Sequence, residues 1–246
     1  MSATALLVAH GSRDPRFAAT ARQVRDAVER DDPAIRVEVA YLDLDEPSVP
    51  DALARLDGDV AVVPLLLGDA FHNRVDLPAL LAESARPGLR TAHAPVLADP
   101  RLTDALADRA LDAGLETGDG VLMCAVGSSD AAADSATVRR GADLADTLAR
   151  RGLDVAVDVA FATRSDSVLA ADGRLRAAGA TRVLVAPWFL SAGTLTDRVE
   201  RLLDGTGRPW RMAGPLGAHP AVVDVVRARI AAATAGVMSD SGSTHR

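Results

Sequence analysis

The sequence predicts an α/β protein of two duplicated lobes, each a four-stranded parallel sheet with helices on both faces. Three observations predict it. Short apolar runs alternate with longer amphipathic segments along the whole chain, the pattern of parallel strands joined by crossover helices. The alternation runs strand-helix four times, pauses in the polar, glycine-rich stretch from Asp112 to Gly120, and restarts. The halves also match each other: Ala9-His10-Gly11-Ser12 with Ala125-Val126-Gly127-Ser128, Val37-Glu38-Val39-Ala40-Tyr41 with Val157-Asp158-Val159-Ala160-Phe161, and Val63-Pro64-Leu65-Leu66-Leu67 with Ala186-Pro187-Trp188-Phe189-Leu190. Ala94-Pro95-Val96-Leu97 likewise matches Gly214-Pro215-Leu216-Gly217. Such self-similarity is the mark of an internal duplication.

In the first half the expected strands are residues 5–9, 36–41, 60–66 and 89–94, and the expected helices 17–30, 48–56, 76–84 and 101–111, with glycine, proline and aspartate between them. The first helix opens after Asp14-Pro15, a capping residue followed by a proline that suits a first helical turn. In the second half the strands fall at 121–126, 155–161, 182–188 and 208–213. Their helices fall at 135–150, 168–178, 195–203 and 221–233. This divides the chain into an N-terminal lobe 1–113, a C-terminal lobe 119–236 that is a degenerate copy, and a disordered tail 237–246 rich in serine.

Composition narrows the function classes. The 246 residues carry a net charge of −7, which disfavours non-specific nucleic-acid binding. All 27 basic residues are arginine. Without lysine there is no Walker phosphate loop for ATP and no Schiff base for pyridoxal phosphate (PLP). Neither first-strand turn spells the G-x-G-x-x-G of an NAD site. The single cysteine excludes an intrachain disulfide and suits a reducing compartment. No basic leader is seen, and the apolar run 60–68 is too short to span a bilayer, so a cytoplasmic protein without membrane contact is expected.

The candidate chemistry sits at strand ends. His10 follows the first strand, at the edge of a parallel sheet where ligands bind. Alone it reads either as a cap for backbone groups or as a metal ligand or general base. His72, between the third strand and its helix, opens on the same edge. Two histidines from separate loops there form a site for a borderline-soft divalent cation.

Asp43 and Glu46 follow the second strand. Acids ahead of a helix favour its dipole, which accounts for Asp45 and much of Glu46; Asp43 or Glu46 can instead accept protons or guide a cation. Ser12 reads as a turn hydroxyl that caps or binds anions. Arg13, Arg16 and Arg74 flank the histidine loops, either solvated or receiving carboxylates. His219 and its first-half counterpart Asp99 read as helix caps, and His93, matched to Ala213, is open to either reading.

With both histidine stretches in view, the chain resembles the sirohydrochlorin-type chelatases, the small cobalt- and iron-inserting class, in a long two-lobed form. The resemblance is carried by Leu7-Val8-Ala9-His10-Gly11-Ser12-Arg13-Asp14-Pro15 and by Val63-Pro64-Leu65-Leu66-Leu67-Gly68 through His72 to Asp76-Leu77-Pro78, with Glu46-Pro47-Ser48 in agreement. It implies a chelatase-like fold and ATP-independent insertion of a divalent metal, Fe2+ or Co2+, into the acidic tetrapyrrole sirohydrochlorin, for sirohaem or cobalamin. It also maps the family's two histidines onto His10 and His72, as metal ligands and catalytic groups. The chemistry of the neighbouring residues adds Glu46 to the catalytic candidates, with the proton acceptor open among His10, His72, Asp43 and Glu46, and offers Ser12, Arg13 and Arg74 to the carboxylates of the substrate. Short members pair as homodimers, so this chain is expected to be a monomer, a fused pseudo-dimer. Val126 and Leu195 stand where the second lobe would carry histidines, leaving one pair instead of two. The rival reading is a two-lobed carrier of metal or tetrapyrrole without turnover.

Overall fold

A computed structural model describes residues 3–68 and 75–241. In chain order the first four strands and helices are β1 (Ala3–Ala9), α1 (Pro15–Asp31), β2 (Ile35–Tyr41), α2 (Val49–Leu53), β3 (Gly58–Pro64), α3 (Leu77–Glu83), β4 (Leu89–His93) and α4 (Leu102–Asp112). The second set is β5 (Asp119–Ala125), α5 (Ala131–Arg150), β6 (Ala156–Phe161), α6 (Ser165–Ala177), β7 (Arg182–Pro187), α7 (Thr194–Asp204), β8 (Trp210–Met212) and α8 (Pro220–Ser241). Each set makes an all-parallel four-stranded sheet, ordered β2-β1-β3-β4 and β6-β5-β7-β8.

The central strands are apolar on both sides because both faces are covered. Leu6 and Val8 of β1 join Val60 and Val62 of β3 against Val49 and Leu53 of α2 and Leu77 of α3. Alternate residues Ala5, Leu7 and Ala9 are equally buried, and α1 packs on β1 and β2 through a stripe that buries Ala18, Ala21, Val24 and Val28. The second sheet repeats the plan, with Leu122 and Cys124 of β5 against Val168, Leu175, Val199 and Leu203. Each such aliphatic side chain contributes about 1.5–3 kcal/mol on burial. Cys124 lies among them, and burial pushes its thiol up to about 12.

The duplication is visible bond by bond. Leu42 N donates to Ala9 O at 2.9 Å, and Ala162 N to Ala125 O at 2.7 Å. Leu65 N donates to Val8 O and Trp188 N to Cys124 O; Leu97 N to Leu66 O and Leu216 N to Phe189 O. One pairing expected from sequence shifts by a residue. His93 stands opposite Val62 and Met212 opposite Val185, so the counterpart of His93 is Met212, not Ala213. The same offset continues past the strand, where Leu97 N to Leu66 O answers Leu216 N to Phe189 O, so the expected match of Pro95 with Pro215 does not hold and Gly214 stands at the place of Pro95.

The polar stretch expected as a linker ends earlier than its composition suggests. Asp119 and Gly120 open β5, and Asp119 is buried in an ion pair with Arg182 at 2.5 Å. The compact units also differ from the two repeats. One comprises Met1–Ala98 with Val222–Arg246, the other Asp99–Ala221. Thus α4 belongs with the second sheet, where Thr103 meets Thr147 and Asp108 pairs with Arg151. Likewise α8 belongs with the first, where Arg227 pairs with Asp31 and Arg229 donates to Val96 O. Further along, α8 runs through Ser241, past position 237 where a tail was expected. Among the described residues no helix is long and apolar enough to cross a membrane.

Candidate active site

In the order β2-β1-β3-β4 the chain reverses direction across the sheet between β1 and β3. In open parallel sheets the crevice outside the carboxyl ends of those two strands is the ligand site, because the loops leaving them diverge there. The residue immediately past β1 is His10, half-buried. Its Nδ1 lies 3.3 Å from Gly11 O. The tautomer that donates there carries its lone pair on Nε2, the form that can ligate a metal or take a proton. His72 and Arg74, on the loop after β3, lie outside the described residues.

The loop after β2 grips the His10 turn. Asp43 N donates to His10 O at 2.9 Å, and Ser12 N donates to Asp45 Oδ2 at 2.8 Å. Gly11 has φ +98°, and a Cβ there would stand 1.6 Å from Asp43 O, so only glycine fits between the two segments. Within the loop, Asp45 N donates to Asp43 O at 2.8 Å around Leu44, which sits at φ +65° with its side chain exposed. A γ-turn with positive φ at a leucine is a strained arrangement, costing on the order of 1–3 kcal/mol, and it is held by the contacts to the His10 turn.

Asp43 and Glu46 are exposed on this loop. Neither caps α2, nor does Asp45. That work falls to Ser48, whose Oγ accepts from Asp51 N at 3.2 Å and donates to the Asp51 carboxylate at 2.6 Å. Asp45 is the residue that sequence reasoning missed. It was read as a helix-terminal acid, and only the fold shows its carboxylate reaching the turn after β1.

Ser12 joins two loops at the start of α1. Its amide meets Asp45, and its Oγ accepts from Asp14 N at 3.1 Å. Asp14 caps α1 by accepting from Arg16 N, and the Arg16 guanidinium also clamps it with side-chain hydrogen bonds from Nε and Nη2 that hold the Asp14 carboxyl below its usual range. Arg13 is exposed beside this cap. Among the described residues no three His, Cys, Asp or Glu side chains gather closely enough to hold a metal ion. His93 is exposed at the end of β4.

The second sheet has the same mouth without the same chemistry. Val126, 45% exposed, replaces His10, and Gly127 keeps the turn at φ +92°. Ser128 N again meets a carboxylate, but that of Asp134 on α5, at 2.8 Å. The loop after β6 is Ala162-Thr163-Arg164, with no acid in it, and its Arg164 stacks on the Phe161 ring at 4.3 Å.

A family model described as CbiX matches residues 4–113 and again residues 120–233. A sirohydrochlorin cobaltochelatase of Priestia megaterium is 26% identical over 242 residues, taking in 91% of this chain and 78% of that protein. Another sirohydrochlorin cobaltochelatase, from Sulfolobus acidocaldarius, is 28% identical over 109 residues, 43% of this chain and 87% of its own length. Among solved structures, the sirohydrochlorin chelatase SirB from Bacillus subtilis subspecies spizizenii, in complex with cobalt, superposes with a TM-score of 0.78. It is 20% identical, and the match covers 97% of this chain and 98% of that one, a likeness of fold.

Proposed function

The chain belongs to the CbiX family, and from that premise we propose that it is a sirohydrochlorin chelatase. It inserts Fe2+ or Co2+, as a substrate, into the acidic macrocycle without ATP, serving sirohaem or cobalamin synthesis in the cytoplasm. The observation that carries the proposal is His10 on the first residue past β1, at the reversal of strand order. The relatives named sirohydrochlorin cobaltochelatase support the substrate.

Insertion requires stripping water from the metal and taking two pyrrole protons. A neutral imidazole does either near pH 7. His10 and His72 are the proposed metal ligands, and Glu46, exposed on the neighbouring loop, is the proposed proton acceptor. Arg13 and Arg74, with the turn at Ser12, receive the carboxylates of the macrocycle. The absence of lysine from the whole chain supports a mechanism without ATP. The protein acts as a monomer, its two repeats standing for the two chains of a shorter homodimer.

The test is an anaerobic absorbance assay with sirohydrochlorin and Fe2+ or Co2+. Wild type forms the metallated product, and His10→Ala slows it about 10²–10⁴-fold. Equal rates would remove His10 from the mechanism. Stoichiometric binding with no product would make the protein a carrier.

A further inference from the structure

We propose that Asp45 is a positioning residue for His10, tying the histidine turn to the acidic loop that carries Glu46. The inference rests on the chelatase reading for its kinetic consequence, but its geometry stands apart from that reading. Three contacts join the two loops: Asp43 N to His10 O at 2.9 Å, Ser12 N to Asp45 Oδ2 at 2.8 Å, and Gly11 pressed against Asp43 O. The backbone immediately on either side of the imidazole is therefore held from the β2 side. Of the three, the Asp45 contact alone is made by a side chain, so it alone can be removed by substitution without rebuilding the main chain.

The second repeat acts as an internal control. There the same serine amide, Ser128 N, is satisfied by Asp134 of the helix that follows in the same loop-helix unit. The loop after β6 still reaches this turn, Thr163 N and Oγ1 donating to Val126 O, but the acceptor of the serine amide is local, and the residue in the histidine position is Val126. Where the histidine is present, the acceptor has moved to another loop, and that loop is longer and bears Asp43, Asp45 and Glu46. A turn that needed only to start a helix would be served by the local acceptor, as the second repeat demonstrates. The distant acceptor does something more: it fixes the spacing between an imidazole and a carboxylate-bearing loop. Displacing a reacting group by an ångström costs about 10²-fold in rate, which sets the scale of the effect.

The experiment uses the full chain. Asp45→Ala is compared with wild type for kcat and KM in the sirohydrochlorin assay, and for the imidazole NMR resonances of His10, assigned by their loss in His10→Ala. Asp45→Ala is expected to lower kcat about 10- to 100-fold with KM for sirohydrochlorin changed less than about twofold, and to shift the His10 resonances. Asp45→Asn, which keeps an oxygen acceptor for Ser12 N, is expected to restore most of the rate and the wild-type shifts. If Asp45→Ala does not fold, Asp45→Ser, too short to reach the amide, is read in the same way. Unshifted His10 resonances with wild-type kcat would overturn the proposal. A wild-type protein that forms no metallated product would overturn the chelatase reading instead, while the His10 shifts would still decide the role of Asp45.

Discussion

A Cβ on Gly11 would stand 1.6 Å from the main-chain oxygen of Asp43, closer than any side chain can be accommodated. Gly11→Ala therefore meets both a left-handed backbone and a neighbouring main chain that must move. The first costs about 1–2 kcal/mol and the second about 1–3, for an expected loss of about 2–5 kcal/mol. Gly58→Ala is the control. It has φ +76° but nothing within 4 Å, so only the backbone cost of about 1–2 kcal/mol applies. Urea unfolding of the two variants checks the difference, and only Gly11→Ala is expected to lose metal insertion as well. Equal midpoints would mean that the two loops are not pressed together as described.

Both the sheet pattern and the internal repeat were legible because they rest on local features: apolar runs, turn glycines and caps. Asp14-Pro15 and Gly11 announce a strand, a turn and a helix within ten residues, and each does what its chemistry predicts. What sequence could not show lies in contacts between distant segments. Asp119 looks like a linker acid until Arg182, far along the chain, is seen to pair with it. Asp45 looks like a helix-terminal acid until the turn after β1 is placed beside it. The exchange of α4 and α8 between the compact units is likewise invisible, since the apolar residues a helix buries do not say which sheet covers them. Of the proposed site, His10, Ser12, Arg13 and Glu46 are placed by the described residues, and His72 and Arg74 are not.

The Asp119–Arg182 pair gives an acid-sensitivity prediction. Burial pushes the Asp119 carboxyl up, but the Arg182 guanidinium, with the Glu116 N–H and nearby Arg211, outweighs it and holds the group below its ordinary value. A carboxyl whose folded value lies below its unfolded one, about 3.9, contributes stability that is complete above that value. The contribution is lost as pH falls through the folded value. Asp119→Asn is thus expected to be less stable than wild type at pH 7, with the gap closing as pH drops from about 5 to 3. Asp119→Ala, which strands the Arg182 charge, is expected to cost on the order of 2–4 kcal/mol at neutral pH. Urea midpoints measured across that range test both. A gap that stays constant down to pH 3 would show that Asp119 is not held ionised by Arg182.

His219 carries the last prediction, and its counterpart in the first repeat explains why. Asp99 Oδ1 accepts from Arg101 N at 3.0 Å, and His219 Nδ1 accepts from Ala221 N at 3.2 Å, each side chain capping the backbone two residues on. An imidazole nitrogen can accept only through its lone pair, so the hydrogen of the neutral ring must sit on Nε2. There it lies 3.1 Å from Asp108 Oδ2, the acceptor that this tautomer requires. The ring is thereby committed at both nitrogens to structure, which separates it from His10 despite the shared residue type. His219→Ala is expected to cost about 0.5–2 kcal/mol, the usual value of a lost cap, and His219→Asn, whose amide oxygen can take the Ala221 N–H, a good deal less. Metal insertion is expected to persist in both. Nitrogen-15 spectra of the folded protein should show His219 Nδ1 as the unprotonated nitrogen. A protonated Nδ1 in the neutral ring would mean that the helix start is held by something other than this side chain.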